Sequence, residues 1–272
     1  RVSSAMLGLR NERSPVSLDT EIWFNEFRLS GINHRGGWAA TANAQLNLSD
    51  VVAFGSGYSR STVGFGGLDD NPNLRSLDDA QNFDFSVSSN LGDFLPQKLR
   101  LNAPMSYSFL DSRSTPEYDP VYEDLTLDDR IRAAETPEAA AAIKEQAQSL
   151  TRIESLSLQG VRIERKPDSR EDFFDIENFS ASMSSTRTSH SDFETAFSER
   201  SSANGLLSYA YSGNALSASL QTSVNRALNQ QRFRQLFDPE VQLLDTPLLT
   251  QQNYRANWQG SITANPLKGL SV

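Results

Sequence analysis

The side chains best suited to catalysis in this 272-residue chain are its two histidines, His34 and His190. His190 stands in the string Ser189-His190-Ser191-Asp192, which contains the residue types of a hydrolytic triad. Neighbouring positions in a chain do not give triad geometry, because the fold has to bring the three side chains together. The string is polar, so we interpret His190 as a solvated loop histidine. We expect no catalytic residues and no enzyme activity.

Paired acidic residues are the second chemical feature, at Asp69-Asp70, Asp78-Asp79 and Asp128-Asp129. Carboxylates in a long loop can hold Ca²⁺, but the spacing does not match an EF-hand loop and the required glycine is missing. The chain has no cysteine, which excludes disulfides and thiolate metal sites. We therefore predict no metal site and no cofactor, and leave calcium binding by the loops open.

Composition limits the class of protein. The chain carries 25 Lys+Arg against 34 Asp+Glu, a net charge of −9, which argues against a nucleic-acid partner. It contains no apolar run long enough for a transmembrane helix. It starts at Arg1 with no signal peptide, so we expect a piece of a longer protein.

The dominant pattern is strict alternation of apolar and polar residues. It runs through residues 38–48, 83–87, 99–109 and 254–264. Successive strand side chains point to opposite faces, so each segment has one apolar and one polar face. About ten residues at a tilt near 40° span about 25 Å, the height of an outer-membrane apolar band.

These faces give the candidate functional residues, because we expect the apolar face to contact membrane lipid and the polar face to line a water-filled lumen. The lipid-facing candidates are Trp38, Ala42, Leu46, Phe85, Leu101, Met105, Tyr107 and Trp258. The lumen-facing candidates are Asn43, Gln45, Asp84 and Asn102.

The links between these segments alternate in length, which predicts short turns at one end of the strands and long loops at the other. Aromatic residues are expected at the long-loop end, namely Trp38, Tyr58, Phe83, Tyr107, Phe109 and Tyr254. The predicted short links are 49–50, 92–97, 165–175, 213–214 and 265–268, and the predicted long links are 59–81, 111–151, 185–203 and 226–252. The predicted fold is thus an all-β, antiparallel, up-and-down transmembrane β-barrel segment.

Some segments depart from this rhythm. The phase slips at Gly160, as a β-bulge would cause. Residues 127–150 have a helical composition with Thr136 as a cap and Pro137 in first position, which predicts a short helical hairpin crossing the barrel mouth or serving only as a spacer. Residues 1–30 are interpreted as the end of a β-sandwich-like or pre-barrel segment, and residues 31–272 as the barrel wall.

Several motifs, in order, resemble one family. Residues 21–29 read EIWFNEFRL and residues 36–40 read GGWAA. They are preceded by GLRN at 8–11 and followed by GFGGL at 64–68, FLP at 94–96 and STPEYDP at 114–120. Together they resemble the SprA/Sov family, the outer-membrane translocon of the type IX secretion system. The resemblance covers about residues 7–165, and beyond them only the strand rhythm continues.

The resemblance implies a function. The family forms very large single-chain barrels, about 36 strands being the largest known, of which this chain would supply some nine or ten. It implies a channel in the cell outer membrane that exports folded cargo proteins to the cell surface, including gliding motility adhesins. By the same resemblance, its partners are a PorV-like barrel protein and a periplasmic plug protein.

Other functions remain open on the residues alone. The strand pattern also fits a porin or a TonB-dependent-type transporter barrel. Trp23 and the predicted Ser/Asn-rich surface also fit a soluble surface adhesin or a carbohydrate-binding β-sandwich.

Arginine substitution distinguishes the two faces. If the apolar positions lie in the membrane, Ala42→Arg or Leu101→Arg should cost about 2–4 kcal/mol of stability, because a charge then enters hydrocarbon. Asn43→Arg or Asn102→Arg should be tolerated in a wet lumen. Unfolding in detergent or lipid measures the difference, and equal tolerance on both faces would contradict the barrel.

Overall fold

A computed structural model describes residues 21, 23, 36–49, 51–67, 69, 74–213, 215–235 and 244–264. Almost all of the segment 1–30 lies outside these residues, so the predicted sandwich-like region and its boundary at residue 30 stay predictions. His34 and the predicted turn 265–268 also lie outside the described residues.

The described part of the chain forms one 11-stranded antiparallel sheet, as the alternation predicts. Long strands follow one another as neighbours, and two strands of 2 residues each lie off this path. The strands are β1 Ala39–Leu48, β2 Val52–Ser61, β3 Asp78–Asn90, β4 Leu101–Asn102, β5 Pro104–Pro116, β6 Ser149–Ile163, β7 Phe179–Ser191, β8 Thr195–Ser212, β9 Leu216–Gln235, β10 Leu244–Asp245 and β11 Leu249–Ala264. The all-β meander is therefore confirmed, but the sheet is open, and barrel closure stays a prediction.

The strand register sorts the residues onto two faces, since directly paired residues of antiparallel strands point to the same side. One row of partners runs Leu46, Phe54, Val87, Tyr107 and Leu156. The adjacent row runs Gln45, Gly55, Ser86, Ser108 and Ser155. We call the side that carries the first row the apolar face and the side that carries the second row the polar face.

The sheet is a single layer. The buried apolar residues of the described chain are Ala103, Leu127, Ala147 and Ala218, and most of these lie in links or helices. On the apolar face, Leu46 is 50% exposed and Leu207 is 51% exposed. Within the described residues, therefore, the apolar face is not covered by a second layer of structure.

The links leave the sheet at two ends, and their sorting by length is only partly as predicted. At the end we call the turn end, β1–β2 and β8–β9 have tight links, but residues 91–103 and 164–178 form longer, structured links. At the opposite, loop end, residues 62–77 and 117–148 are long links, as expected.

The predicted long loop 185–203 is wrong. β7 continues to Ser191 and β8 begins at Thr195, so the link is a tight turn. These residues are rich in Ser, Thr and charged side chains, and that composition looked loop-like although cross-strand pairing holds it in the sheet. The predicted loop 226–252 is also too long, because β9 extends to Gln235 and β11 begins at Leu249.

The alternation predicted one continuous strand that contains Leu101, Asn102 and Met105. In the structure, Leu101 and Asn102 are separate from the strand of Met105. Arg100 has a left-handed backbone with φ 47°, and the Asn90 side chain accepts a hydrogen bond of 2.7 Å from the Ala103 amide. The strand is interrupted there, and the separate strand β4 pairs with the end of β6.

Residues 127–150 contain the predicted helices, α1 Leu127–Arg132 and α2 Pro137–Ala147. Thr136 caps α2, as predicted, by accepting a hydrogen bond from the Ala139 amide. The two helices lie on the side of the apolar face, because Gln148 donates to Thr115 of that face at 2.8 Å. This differs from the predicted position across a barrel mouth.

The predicted bulge at Gly160 is confirmed by a register shift between Leu158 and Val161. Gly160 has φ +61°, a conformation that costs other L-residues about 1–2 kcal/mol. Gly160→Ala should therefore lower the free energy of unfolding by about that amount, and Gly160→Asn by less, since asparagine tolerates this region.

Gly36→Ala is the matched control, because a Cβ at Gly36 would meet nothing within 4 Å. Thermal or urea unfolding of the variants in detergent measures the effect. Equal stability of the two alanine variants would contradict the role assigned to Gly160.

Candidate functional site

The two faces of the sheet are the candidate functional surfaces, and the register shows where each predicted residue lies. Asn43, Gln45 and Asp84 share the polar face. Leu101 and Asn102 lie in the separate strand β4. Sharing the apolar face are Ala42, Leu46, Phe85, Met105, Tyr107 and Trp258, with Trp38 next to β1 in phase with them.

The apolar face carries large side chains open to its surroundings. Trp258 is 80% exposed, Ile262 is 77% exposed and Met183 is 50% exposed. Burying apolar surface yields about 25 cal/mol per Å², so a contiguous face of this kind favours contact with an apolar medium or partner.

Ion pairs border the apolar face on its loop side. Arg60 bridges Asp79 at 2.8 Å, and Arg187 bridges Glu199 at 2.6 Å. Between them, Asp111 accepts hydrogen bonds from Arg113 and Arg152, each pair at 2.8 Å. These partners come from adjacent strands or the same strand, so the charges neutralise one another along the edge of the apolar area.

The position of this charged border drifts across the sheet. Following paired residues back to β2 gives a common scale of positions along the strands. In each strand we take the charged side chain of the apolar face that lies nearest the turn end, and we name the β2 residue in the same row of the register. Arg60 lies in β2 itself, Asp111 lies in the row of Tyr58, Glu154 and Arg187 lie in the row of Ser56, and Arg226 lies in the row of Phe54. Two residues depart from the trend, because Asp79 of β3 lies beyond Ser61 in register and Glu199 of β8 lies at Tyr58.

The apolar residues shift in the same direction. In β1 and β2 they end at Leu48 and Val52, whereas in β8 and β11 they extend further toward the turn end, to Tyr211 and Ile262. A flat apolar slab that crosses tilted strands has this geometry, because each strand then meets the slab at a later residue than its neighbour.

Aromatic rings cluster at two places on the apolar face. Phe85 lies 5.5 Å from Phe109 and 5.6 Å from Tyr107, measured between ring centroids. Tyr107 and Phe109 lie inside β5, away from its loop end, so their predicted position at the loop end is wrong, whereas Trp38 does lie at that end.

The sequence interpretation missed a second cluster at the turn end. Phe173, in the link before β7, lies 5.7 Å from the Tyr209 ring and 5.2 Å from the Tyr211 ring. Phe174 packs edge-on against Phe173 and is 91% exposed. The adjacent pair Phe173-Phe174 was the available signal, but it stands in a segment that was interpreted as a short turn.

A polar network holds this turn-end link. Arg165 bonds to Asp175 at 2.7 Å and to the buried Asn178 at 2.7 Å. The amide of Asp172 and the Arg165 guanidinium both lower the pKa of Asp175. The exposed aromatic pair is therefore displayed by an ordered link.

His190 is placed differently from its predicted position in a solvated loop. It lies at the end of β7 on the polar face, opposite Thr151 of β6, with 2.9 Å between its Nδ1 and the Thr151 hydroxyl. Its Nε2 lies 3.0 Å from Asp192. Ser189 and Ser191 point to the opposite face because they alternate with His190 along the strand, so neither hydroxyl can serve as its nucleophilic partner.

A cleft of about 900 Å³ separates the loop end of the apolar face from the two helices. Its walls carry both signs of charge, including Arg60, Asp79, Asp129 and Lys144. Across the described residues, no three His, Asp or Glu side chains are grouped as a metal site would need. In the same residues, no helix is both long enough and apolar enough to cross a membrane.

Comparison with known proteins assigns the family. Residues 1–131 match the family model SprA_N, described as a motility related/secretion protein. Residues 1–131 of this chain therefore belong to the SprA family. The match confirms the resemblance for those residues, and the resemblance noted for 132–165 lies beyond it. No curated protein matches the chain.

The turn that follows His190 should respond to acid. Burial raises the pKa of Asp192, but hydrogen bonds from His190 and the amides of Thr195 and Glu194 outweigh it, so this pKa is lowered overall. A carboxylate with a lowered folded-state pKa stabilises the fold above its ordinary pKa, and that contribution is lost as pH falls through the folded value.

Amide hydrogen exchange at Glu194 and Thr195, corrected for intrinsic rates, should therefore accelerate below about pH 4. Asp192→Asn keeps an oxygen acceptor but cannot titrate, so its exchange should lack this pH-dependent part. An unchanged pH dependence in this variant would refute the role of Asp192.

Proposed function

We propose that this SprA-family chain is a wall segment of an outer-membrane channel that exports folded proteins to the cell surface. The apolar face contacts membrane lipid and the polar face lines the water-filled passage. The observation that carries this proposal is the apolar face of a single-layer sheet, which the rest of the described chain leaves uncovered except at the loop end, where α1 and α2 lie.

The drift of the charged border supports a membrane on that side. The border moves from the register of Arg60 in β2 to that of Phe54 at Arg226 in β9. Tilted strands crossing a flat slab of hydrocarbon require such a shift, whereas an irregular patch that binds a protein does not.

The family supports the secretion role. SprA_N is a motility related/secretion family, and an all-β sheet is compatible with an outer-membrane protein. By family resemblance, the partners are secreted cargo, a PorV-like barrel protein and a periplasmic plug protein. A porin or nutrient transporter has the same kind of wall, so the experiment below includes that outcome. A soluble β-sandwich fits poorly, because no second sheet packs on the apolar face of the described residues.

A matched pair of substitutions in one strand tests the assignment of the two faces. Val87 lies in the middle of the apolar face, and its neighbour Ser86 lies on the polar face. Val87→Arg should cost about 2–4 kcal/mol or prevent assembly in the outer membrane, because the charge enters hydrocarbon. Ser86→Arg should assemble normally. Heat-modifiable migration of the full-length protein in outer-membrane fractions reports assembly.

Export is measured in the same cells as the amount of a secreted reporter protein that reaches the cell surface. Loss of display in the Val87→Arg strain and normal display in the Ser86→Arg strain are expected. Recovery of the full-length protein in the soluble periplasm would exclude the membrane wall. Normal secretion in a deletion strain that loses uptake of one solute would instead indicate a transporter.

A further inference from the structure

The polar face is built from hydroxyl and amide side chains that bond to one another across strands. Ser112 donates to Asn82 at 2.6 Å, and Asn82 donates to Ser59 at 3.3 Å. Farther along the sheet, the hydroxyls of Ser219 and Ser261 lie 2.7 Å apart. These groups satisfy part of their hydrogen-bonding capacity within the wall, so they offer fewer strong bonds to a molecule that passes.

Charges on this face are few, mixed in sign and far apart in the described strands. They are Asp78, Asp84, Arg162, Arg200 and Arg255. Asp84 in β3 and Arg200 in β8 are separated by β5, β6 and β7, which is about 19 Å at about 4.8 Å per strand. The Debye length at physiological salt is about 8 Å, so these charges do not combine into a field of one sign.

Most of the other charged side chains of the described strands lie on the apolar face, and several of them form ion pairs at its loop-side border. Arg60 with Asp79, Asp111 with Arg113 and Arg152, and Arg187 with Glu199 all lie there. The chain as a whole has a net charge of −9, yet its polar face does not carry that charge as one acidic surface. The near balance of positive and negative charge is therefore a property of the polar face and not of the chain as a whole.

We propose that the polar face is a passage wall that does not discriminate between cargo proteins by net charge. This inference rests on the proposed export function and specifies its cargo as folded proteins of either sign of charge. A wall with a one-signed field would concentrate one class of protein and repel the other. A wall of mutually bonded hydroxyls and amides does neither.

The test uses the full-length protein in cells and two reporters of the same fold and export signal, one with a strongly negative surface and one with a strongly positive surface. Wild-type cells should display both reporters at equal rates. The positions for redesign are Ser88, Ser106 and Ser108, which are exposed on the polar face and lie on the adjacent strands β3 and β5, close enough for their charges to combine.

Changing all three to Asp should slow the negative reporter about threefold or more relative to the positive one, and changing all three to Lys should reverse the preference. The matched control changes all three to Asn, which has the size of Asp without its charge, and should leave export equal. The amount of each variant in the outer membrane is measured to normalise the rates.

Unequal export of the two reporters by the wild type would overturn the inference. So would charged variants that assemble normally and leave both rates unchanged, because cargo would then not meet this face. The export function itself fails on a different result, namely normal display of both reporters in cells that lack the protein.

Discussion

The structure depends on one constraint, which is that a single-layer sheet has two faces and that no second layer covers either face within the described residues. Along each strand, apolar and polar side chains alternate, and the register aligns them so that Leu46, Phe54, Val87, Tyr107 and Leu156 form one continuous row. A soluble protein would bury such a row against a second layer. Within the described residues the fold does not remove this row from water, which favours contact with an apolar phase or partner.

The arrangement of charges follows from the same constraint. An arginine or carboxylate within the apolar area would lose its hydration, so the charged side chains of that face stand toward its border and most of them are paired. Asp111 between Arg113 and Arg152 is the clearest case. Since the strands of a barrel tilt, a border that is level in space has to move along the sequence from strand to strand, as it does between Arg60 and Arg226.

The polar face differs from the apolar face in its side-chain chemistry. Its hydroxyl and amide groups bond across strands, for example Ser112 to Asn82, and they stabilise the sheet without presenting a charged surface. Cross-strand pairs of this kind contribute about 0.2–1 kcal/mol each. Among the described residues, β1 and β11 are the outer long strands of the sheet, and such edges can pair with further strands of a larger sheet.

Alternation in the sequence predicted most of the long strands, their two faces and the bulge at Gly160, because side-chain direction in a strand repeats every two residues. Capping chemistry likewise predicted α2 from Thr136 and Pro137. What the sequence could not predict was decided by contacts between distant residues. Residues 185–203 look like a loop by composition, but pairing between β7 and β8 makes them strand.

The break before β5 depends on the Asn90 side chain, which bonds to the Ala103 amide across the link, and the ring cluster of Phe173 with Tyr209 joins segments that are separate in the sequence. Which residues can share a face is readable from the amino-acid sequence, since it follows from local backbone geometry. The length of the strands, their alignment and the position of the charged border depend on the folded sheet, because register is set by hydrogen bonds between segments far apart in the chain.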